Sequence, residues 1–179
     1  MKEGMISRDR NLRSKRPSRD SGRGQKKDLI REVILTRRVS KTTARGRIRG
    51  VSILAIAGDG RGKIGWGIAG SKEIQTANAK AARLAEAYMK HIPIWNRRTL
   101  PHDAEASFGP VTVLIRKAKT GTGIIAGGVV KTVFEALGVK DVVAKVVCGN
   151  NPLNVLQALM KALESLRLPS KITSDRGIS

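Results

Sequence analysis

Residues 39–68 read Val-Ser-Lys-Thr-Thr-Ala-Arg-Gly-Arg-Ile-Arg-Gly-Val-Ser-Ile-Leu-Ala-Ile-Ala-Gly-Asp-Gly-Arg-Gly-Lys-Ile-Gly-Trp-Gly-Ile. The pattern predicts a basic loop, a strand, a tight turn and another strand. Val51, Ile53, Leu54 and Ile56 are apolar enough to anchor the strand in a core, so the loop cations Lys41, Arg45, Arg47 and Arg49 sit on a rigid mount. Asp59-Gly60-Arg61-Gly62 supplies a residue that tolerates positive φ, followed by glycines that accept it without a Cβ clash. Guanidinium groups held at fixed spacing suit a phosphate backbone better than a small substrate.

Composition points the same way. Thirty-five Lys and Arg against 14 Asp and Glu give the 179 residues a formal charge of +21. That excess implies a polyanion, with nucleic acid the first candidate and an anionic membrane surface the second. No run of 18 or more apolar residues appears, which removes a membrane span. The single cysteine, Cys148, cannot form an internal disulfide; it lies in an apolar strand pattern and reads as a small buried hydrophobe, which fits a reducing compartment.

Outward from the central stretch, residues 1–28 scatter Arg and Lys among Ser, Gly and Asp with no apolar periodicity, and predict a basic arm disordered in isolation. It either threads along RNA or serves as a solubilising or targeting tail. Nothing in it resembles the apolar core of a secretory signal, and Glu3, Asp9, Asp20 and Asp28 count against an organelle transit peptide. A first strand is expected over 35–42. After the hairpin, Ser71 is a plausible N-cap, and Ile74, Ala77, Ala81, Leu84, Ala85 and Tyr88 recur at helical spacing. Residues 29–92 thus make a β-β-β-α domain.

Pro93 and Pro101 bracket a linker over 93–103. Its Trp95 either stacks on a base or pins the linker to a domain face. Two strands follow, over 104–108 and 111–117, joined at Gly109-Pro110. A helix is expected from about Ile125, with Val129, Val133 and Leu137 on its stripe and Gly138 ending it. A buried strand spans 142–148, and Asn151-Pro152 opens a last helix. The fold class is therefore α+β, with a β-β-α-β-α two-layer domain over 104–168 and a polar tail over 169–179.

Motifs that suggest an enzyme fail on context. Gly60, Gly62 and Gly65, and again Gly65, Gly67 and Gly70, match the bare dinucleotide pattern. The first set precedes a strand, and the second lacks a βαβ unit. Thr120-Gly121-Thr122-Gly123 with Gly127-Gly128 is a better anion site, because backbone amides at a helix start carry partial positive charge and Lys117 and Lys119 stand just upstream. It contacts RNA phosphate or a neighbouring protein, or else is a tight turn whose Gly127 and Gly128 allow close packing. His91 and His102 have no cluster with metal spacing, so no metal or cofactor is expected. No nucleophile triad or carboxylate pair stands out.

Five blocks carry a resemblance: Arg38-Val-Ser-Lys-Thr, Gly46-Arg-Ile, Ala57-Gly-Asp-Gly-Arg-Gly-Lys-Ile-Gly-Trp-Gly, Gly121-Thr-Gly-Ile-Ile-Ala-Gly-Gly and Asn150-Asn-Pro-Leu-Asn-Val. In order and spacing the chain resembles the family of bacterial-type small-subunit ribosomal protein five. The resemblance implies a double-stranded-RNA-binding-like first domain and a second α/β domain similar in fold to one in some kinases, with no implication of ATP use. It implies binding to small-subunit rRNA near the mRNA entrance, beside ribosomal proteins four and eight. It also implies roles in assembly, decoding accuracy and unwinding of structured mRNA, on a ribosome of a bacterium or an organelle.

Lys41, Gly46 and Arg47 match the family's loop beside the spectinomycin site. Thr120 to Gly128 and Lys131 match the region that faces protein four, where changes alter fidelity. The chain departs from the family at Ala44-Arg45, commonly Lys-Gly, and at Val51, usually aromatic. The RNA-binding residues expected are Lys41, Thr42, Arg45, Gly46, Arg47, Arg49, Arg61, Lys63, Lys117 and Lys119. The expected loop interface comprises Thr120, Gly121, Thr122, Gly123, Gly127, Gly128 and Lys131. Fixed cations replacing counterions on packed RNA predict affinity that falls steeply with salt. No membrane or small-molecule substrate is expected. The rival readings are a free nucleic-acid-binding regulator and a nucleotide-dependent enzyme using the Gly-Thr loop.

Overall fold

The computed structural model describes residues 29–175. The basic arm read over 1–28 lies outside them. Strands β1 (Ile30–Thr43), β2 (Gly46–Gly58) and β3 (Lys63–Ser71) run antiparallel in that order, and the two-residue β4 (Lys90–His91) pairs with the edge of β3. Helix α1 (Ile74–Ala87) lies across one face.

Alternation along β2 sorts its apolar residues onto two faces. Val51, Ile53 and Ala55 face α1 and share a small core with Ala69, Ala77 and Ala81. Leu54 and Ile56 face the other way, into the main core. A bulge between Val33 and Leu35 changes the parity of β1, because one extra residue sends every later side chain to the opposite face. Arg31, before it, reaches Glu86 of α1 at 2.6 Å; Arg37, after it, reaches Asn151 on the other side at 3.5 Å.

Helix α1 packs unusually close to β3. A Cβ on Gly65 would overlap the Ala85 carbonyl oxygen, and one on Gly67 would stand 2.7 Å from that of Ala81. The glycines that imitate a dinucleotide motif are thus where backbone meets backbone. Only the alanines of the expected α1 stripe are buried; Ile74, Leu84 and Tyr88 are exposed. Ser71 is no cap. It ends β3, and Glu73 occupies the N-cap without a capping side-chain bond.

The second half forms a sheet in the order β5 (Ala104–Phe108), β6 (Val111–Lys117), β8 (Val142–Val147), β7 (Ile124–Ile125). Helices α2 (Gly128–Leu137) and α3 (Pro152–Glu164) supply the rest of its core. Strand β7 pairs parallel with β8, so β7, α2 and β8 make a crossover unit. Ile125 therefore belongs to a strand and is exposed, and the helix expected there begins three residues later. Gly138 ends α2 in the left-handed conformation (φ 86°), and the Asn151 side chain accepts from the Leu153 amide at the start of α3. Cys148 is exposed at φ 54° just beyond β8, not buried. The expected polar tail contains a further helix, α4 (Pro169–Asp175).

One continuous core joins the two halves. Leu54, Ile56 and Ile64 of the first sheet cluster with Phe134, Leu137, Leu156 and Leu159 of the second half. Each such side chain, fully buried, contributes about 1.5–3 kcal/mol.

Candidate nucleic-acid interface

Beyond Val51, where pairing with β3 stops, β1 and β2 continue as a free two-stranded ribbon. Its pairs are Val39 with Gly50, Ser40 with Arg49, Lys41 with Ile48, Thr42 with Arg47 and Thr43 with Gly46. Five pairs project it about 16 Å. The basic loop of the sequence reading is thus mostly strand. Only Ala44 and Arg45 form the turn, with Gly46 at φ 128° and the Thr43 hydroxyl donating to the Gly46 carbonyl at 2.8 Å.

Residues directly opposite in an antiparallel pair share a face. Arg47 and Arg49 therefore stand with Ser40, Thr42 and Arg38 on the α1 side, whereas Lys41 shares the other side with Val39 and Ile48. All six expected residues of this segment, Lys41, Thr42, Arg45, Gly46, Arg47 and Arg49, are exposed. None of these cations is ion-paired with a described carboxylate. Arg38 and Lys72 line a shallow cleft with Arg49 at the base of the ribbon. The sequence reading missed both, although period-two alternation from Arg47 and Arg49 through the register would have placed Arg38 beside them.

Arg61 and Lys63 are also exposed, but at the far end of β2, roughly 36 Å from Arg47 along the strand. The turn that carries them is bolted down. The Asp59 carboxylate accepts from the amides of Arg61 and Lys63, each at 2.9 Å. The amides of Gly60 and Gly62 donate to the carbonyls of Ala136 and Leu137 at the end of α2, each at 3.1 Å.

The Gly-Thr loop holds a carboxylate already. Asp141, 2% exposed, accepts from the amides of Gly121 and Gly123 through one oxygen, each at 3.0 Å, and from Arg98 Nε through the other at 3.2 Å. The Gly123 amide bond, helped by that of Gly121 and by the Arg98 charge, holds the Asp141 carboxyl below its ordinary value despite burial. Two amides that the sequence reading left open to an anion are therefore occupied. Gly121 and Gly123 adopt positive φ (92° and 76°). A Cβ on either, or on Gly127 or Gly128, would meet nothing within 4 Å, so close packing within the chain is not what Gly127 and Gly128 serve. The loop presents bare backbone outward.

Thr120 is exposed beside it, and the Thr122 hydroxyl donates to the Lys119 carbonyl at 2.8 Å. Lys117 and Lys119 are exposed upstream, and Lys131 lies 3.9 Å from Glu135 one turn along α2. Among the described residues no cluster of three or more His, Cys, Asp or Glu could hold a metal ion. No helix among them is long and apolar enough to cross a membrane.

Comparison with known proteins agrees with this architecture. The family models for Ribosomal protein S5, N-terminal domain, and Ribosomal protein S5, C-terminal domain, match residues 29–93 and 106–176. The chain is 43% identical over 150 residues to the small ribosomal subunit protein uS5 of Wolbachia pipientis wMel, spanning 84% of this chain and 88% of that one. It is 39% identical over 165 residues to the uS5 of Mesorhizobium japonicum, spanning 89% and 88%. With both halves matched in chain order and the relatives covered over most of their length, the chain belongs to the ribosomal protein S5 family.

Proposed function

We propose that this protein is a structural component of the small ribosomal subunit that binds its rRNA, principally through the β1–β2 ribbon. The observation that carries the reading is the ribbon itself: Arg38, Arg47 and Arg49 with the hydroxyls of Ser40 and Thr42 on one face, beside the turn residue Arg45, exposed and clear of described carboxylates. Folded rRNA offers closely spaced phosphates and 2′-hydroxyls, which such a face meets without an aromatic stacking platform.

The remaining expected residues fall into two further contacts. Arg61 and Lys63 would touch a second RNA segment, since β2 holds them far from the ribbon tip. Lys117, Lys119, the loop 120–128 and Lys131 form an outward surface for RNA or a neighbouring protein, and protein four fits the bare loop best. Protein eight, mRNA near the entrance, and parts in assembly, decoding accuracy and mRNA unwinding complete the reading. The organisation into an arm over 1–28, domains over 29–92 and 104–168, and a linker over 93–103 is part of it. The role is structural rather than catalytic. Against a nucleotide-hydrolysing alternative stands Asp141, whose carboxylate fills the amides that a phosphate would need.

Sucrose-gradient sedimentation tests the reading. The chain is expected in one copy with small subunits at high salt, in a bacterium or an organelle. Recovery away from ribosomes would favour a free nucleic-acid-binding regulator instead.

A further inference from the structure

Trp95 and Thr99 exchange backbone hydrogen bonds, 2.8 Å from the Trp95 amide and 3.1 Å from that of Thr99. Between them Asn96 and Arg97 both take left-handed φ, 51° and 54°, as the two central residues of a type I′ turn that the Arg98 amide closes on the Trp95 carbonyl at 3.0 Å; Asn tolerates that region, whereas Arg97 is disfavoured there. Bonds from outside the turn add to its own: the Arg98 carbonyl accepts from the amides of Lys140 and Asp141, and Arg98 Nε donates to the Asp141 carboxylate. Backbone strain that its surroundings over-determine clusters at ligand-contacting sites.

The turn holds the Trp95 indole out of the core. Ile92 and Leu100, on either side, are 1% and 0% exposed, yet Trp95 is 43% exposed. Trp95 borders a cleft of about 470 Å³ together with Arg98, Lys117, Lys119, Thr120 and Asp141, whose carboxylate is paired with Arg98. The Ala118 amide donates to the Thr99 hydroxyl at 3.3 Å and ties the two walls together. Neither lysine is ion-paired with a described carboxylate. An exposed indole beside two free ammonium groups is what an unstacked nucleotide requires: an aromatic platform for its base and cations for its phosphate.

We propose that the cleft between the Trp95–Thr99 turn and residues 117–120 takes one unstacked nucleotide of single-stranded RNA. Its base lies on the Trp95 indole and its phosphate between Lys117 and Lys119. The proposal rests on the RNA-binding reading above but concerns a different surface from the ribbon.

Full-length chain carrying Trp66→Phe leaves Trp95 as the sole tryptophan. Binding of fluorescently labelled single-stranded RNA, followed by anisotropy, is expected to shield Trp95 from acrylamide quenching. Duplex RNA and free adenosine monophosphate at the same nucleotide concentration are expected to shield it far less. In a chain that keeps Trp66, Trp95→Leu is expected to weaken single-strand binding about tenfold, as loss of one stacked base does. RNA that binds fully while Trp95 stays open to acrylamide would overturn the subsite and leave the ribbon reading intact. Shielding by added small-subunit proteins but not by RNA would overturn it in favour of a protein contact. Full shielding by free adenosine monophosphate would replace the RNA strand with a mononucleotide, and absence of any RNA binding would remove the ribbon reading as well.

Discussion

The amide of Gly60 donates to the carbonyl of Ala136 at 3.1 Å, joining the turn after β2 to the C-terminal end of α2. Two glycines let the backbones meet at this joint. A Cβ on Gly58 would overlap the Ala136 carbonyl, and one on Gly138 would overlap that of Gly60. Two of the orphan carbonyls that every helix leaves at its end are met here by amides from the turn between β2 and β3.

The joint and the shared core are expected to make the halves one cooperative unit. Thermal unfolding of the full chain is expected to follow a single transition when read by calorimetry and by circular dichroism. Phe134→Ala, at a side chain 0% exposed, is expected to cost about 3–5 kcal/mol and to lower that one transition as a whole. Two resolved transitions, only one of them moved, would refute the coupling.

Glycine substitutions separate packing from openness. Gly65→Ala drives a methyl into the Ala85 carbonyl and is expected to destabilise by about 2 kcal/mol or more. Gly127→Ala meets nothing within 4 Å at φ −67°, so a change of less than about 1 kcal/mol is expected. Urea denaturation of the two variants makes the comparison; equal losses would contradict the packing described.

Asp141 should make the Gly-Thr loop acid-sensitive. Its carboxyl is depressed from the ordinary 3.8 by the amides of Gly123 and Gly121 and by Arg98. With the folded value the lower one, the unfolded chain takes the proton first. The stabilisation is therefore complete above the unfolded value and is lost as pH falls through the folded one. Asp141→Asn keeps an acceptor oxygen but discards the charge, so its melting temperature should lie below that of the parent at pH 7 and converge on it in strong acid. A gap that stayed constant from pH 7 to pH 3 would show that the charge contributes nothing.

Ribbon cations should act through phosphates. Arg47→Ala and Arg49→Ala are each expected to weaken binding to a small-subunit rRNA fragment and to reduce the salt slope by about 1, with stability changed by less than about 0.5 kcal/mol. Arg61→Ala, far along β2, should add to Arg49→Ala without coupling. Filter binding across a salt series measures all of these. An unchanged slope in the ribbon variants would move the RNA contact elsewhere.

Much of the fold is legible locally. Asn151-Pro152 starts α3, Gly138 ends α2 and Asp59-Gly60-Arg61-Gly62 turns β2 into β3, because caps and turns are settled among four or five neighbouring residues. The cations themselves are legible from charge, but which of them share a face is set by register: Arg38 joins Arg47 and Arg49, and Lys41, grouped with them in the sequence reading, stands on the other side.

Sequence by itself determined the main strands and helices of the two halves, α1, α2 and α3 among them, and that the chain carries a large positive excess. Tertiary structure decided what those segments do to one another. The bulge at Ile34 sets which face Arg31 and Arg37 serve, the approach of α1 makes Gly65 and Gly67 necessary, and Asp141 closes amides that looked vacant. Each of these depends on groups brought together from distant parts of the chain, and residue spacing carries no information about which distant group will arrive.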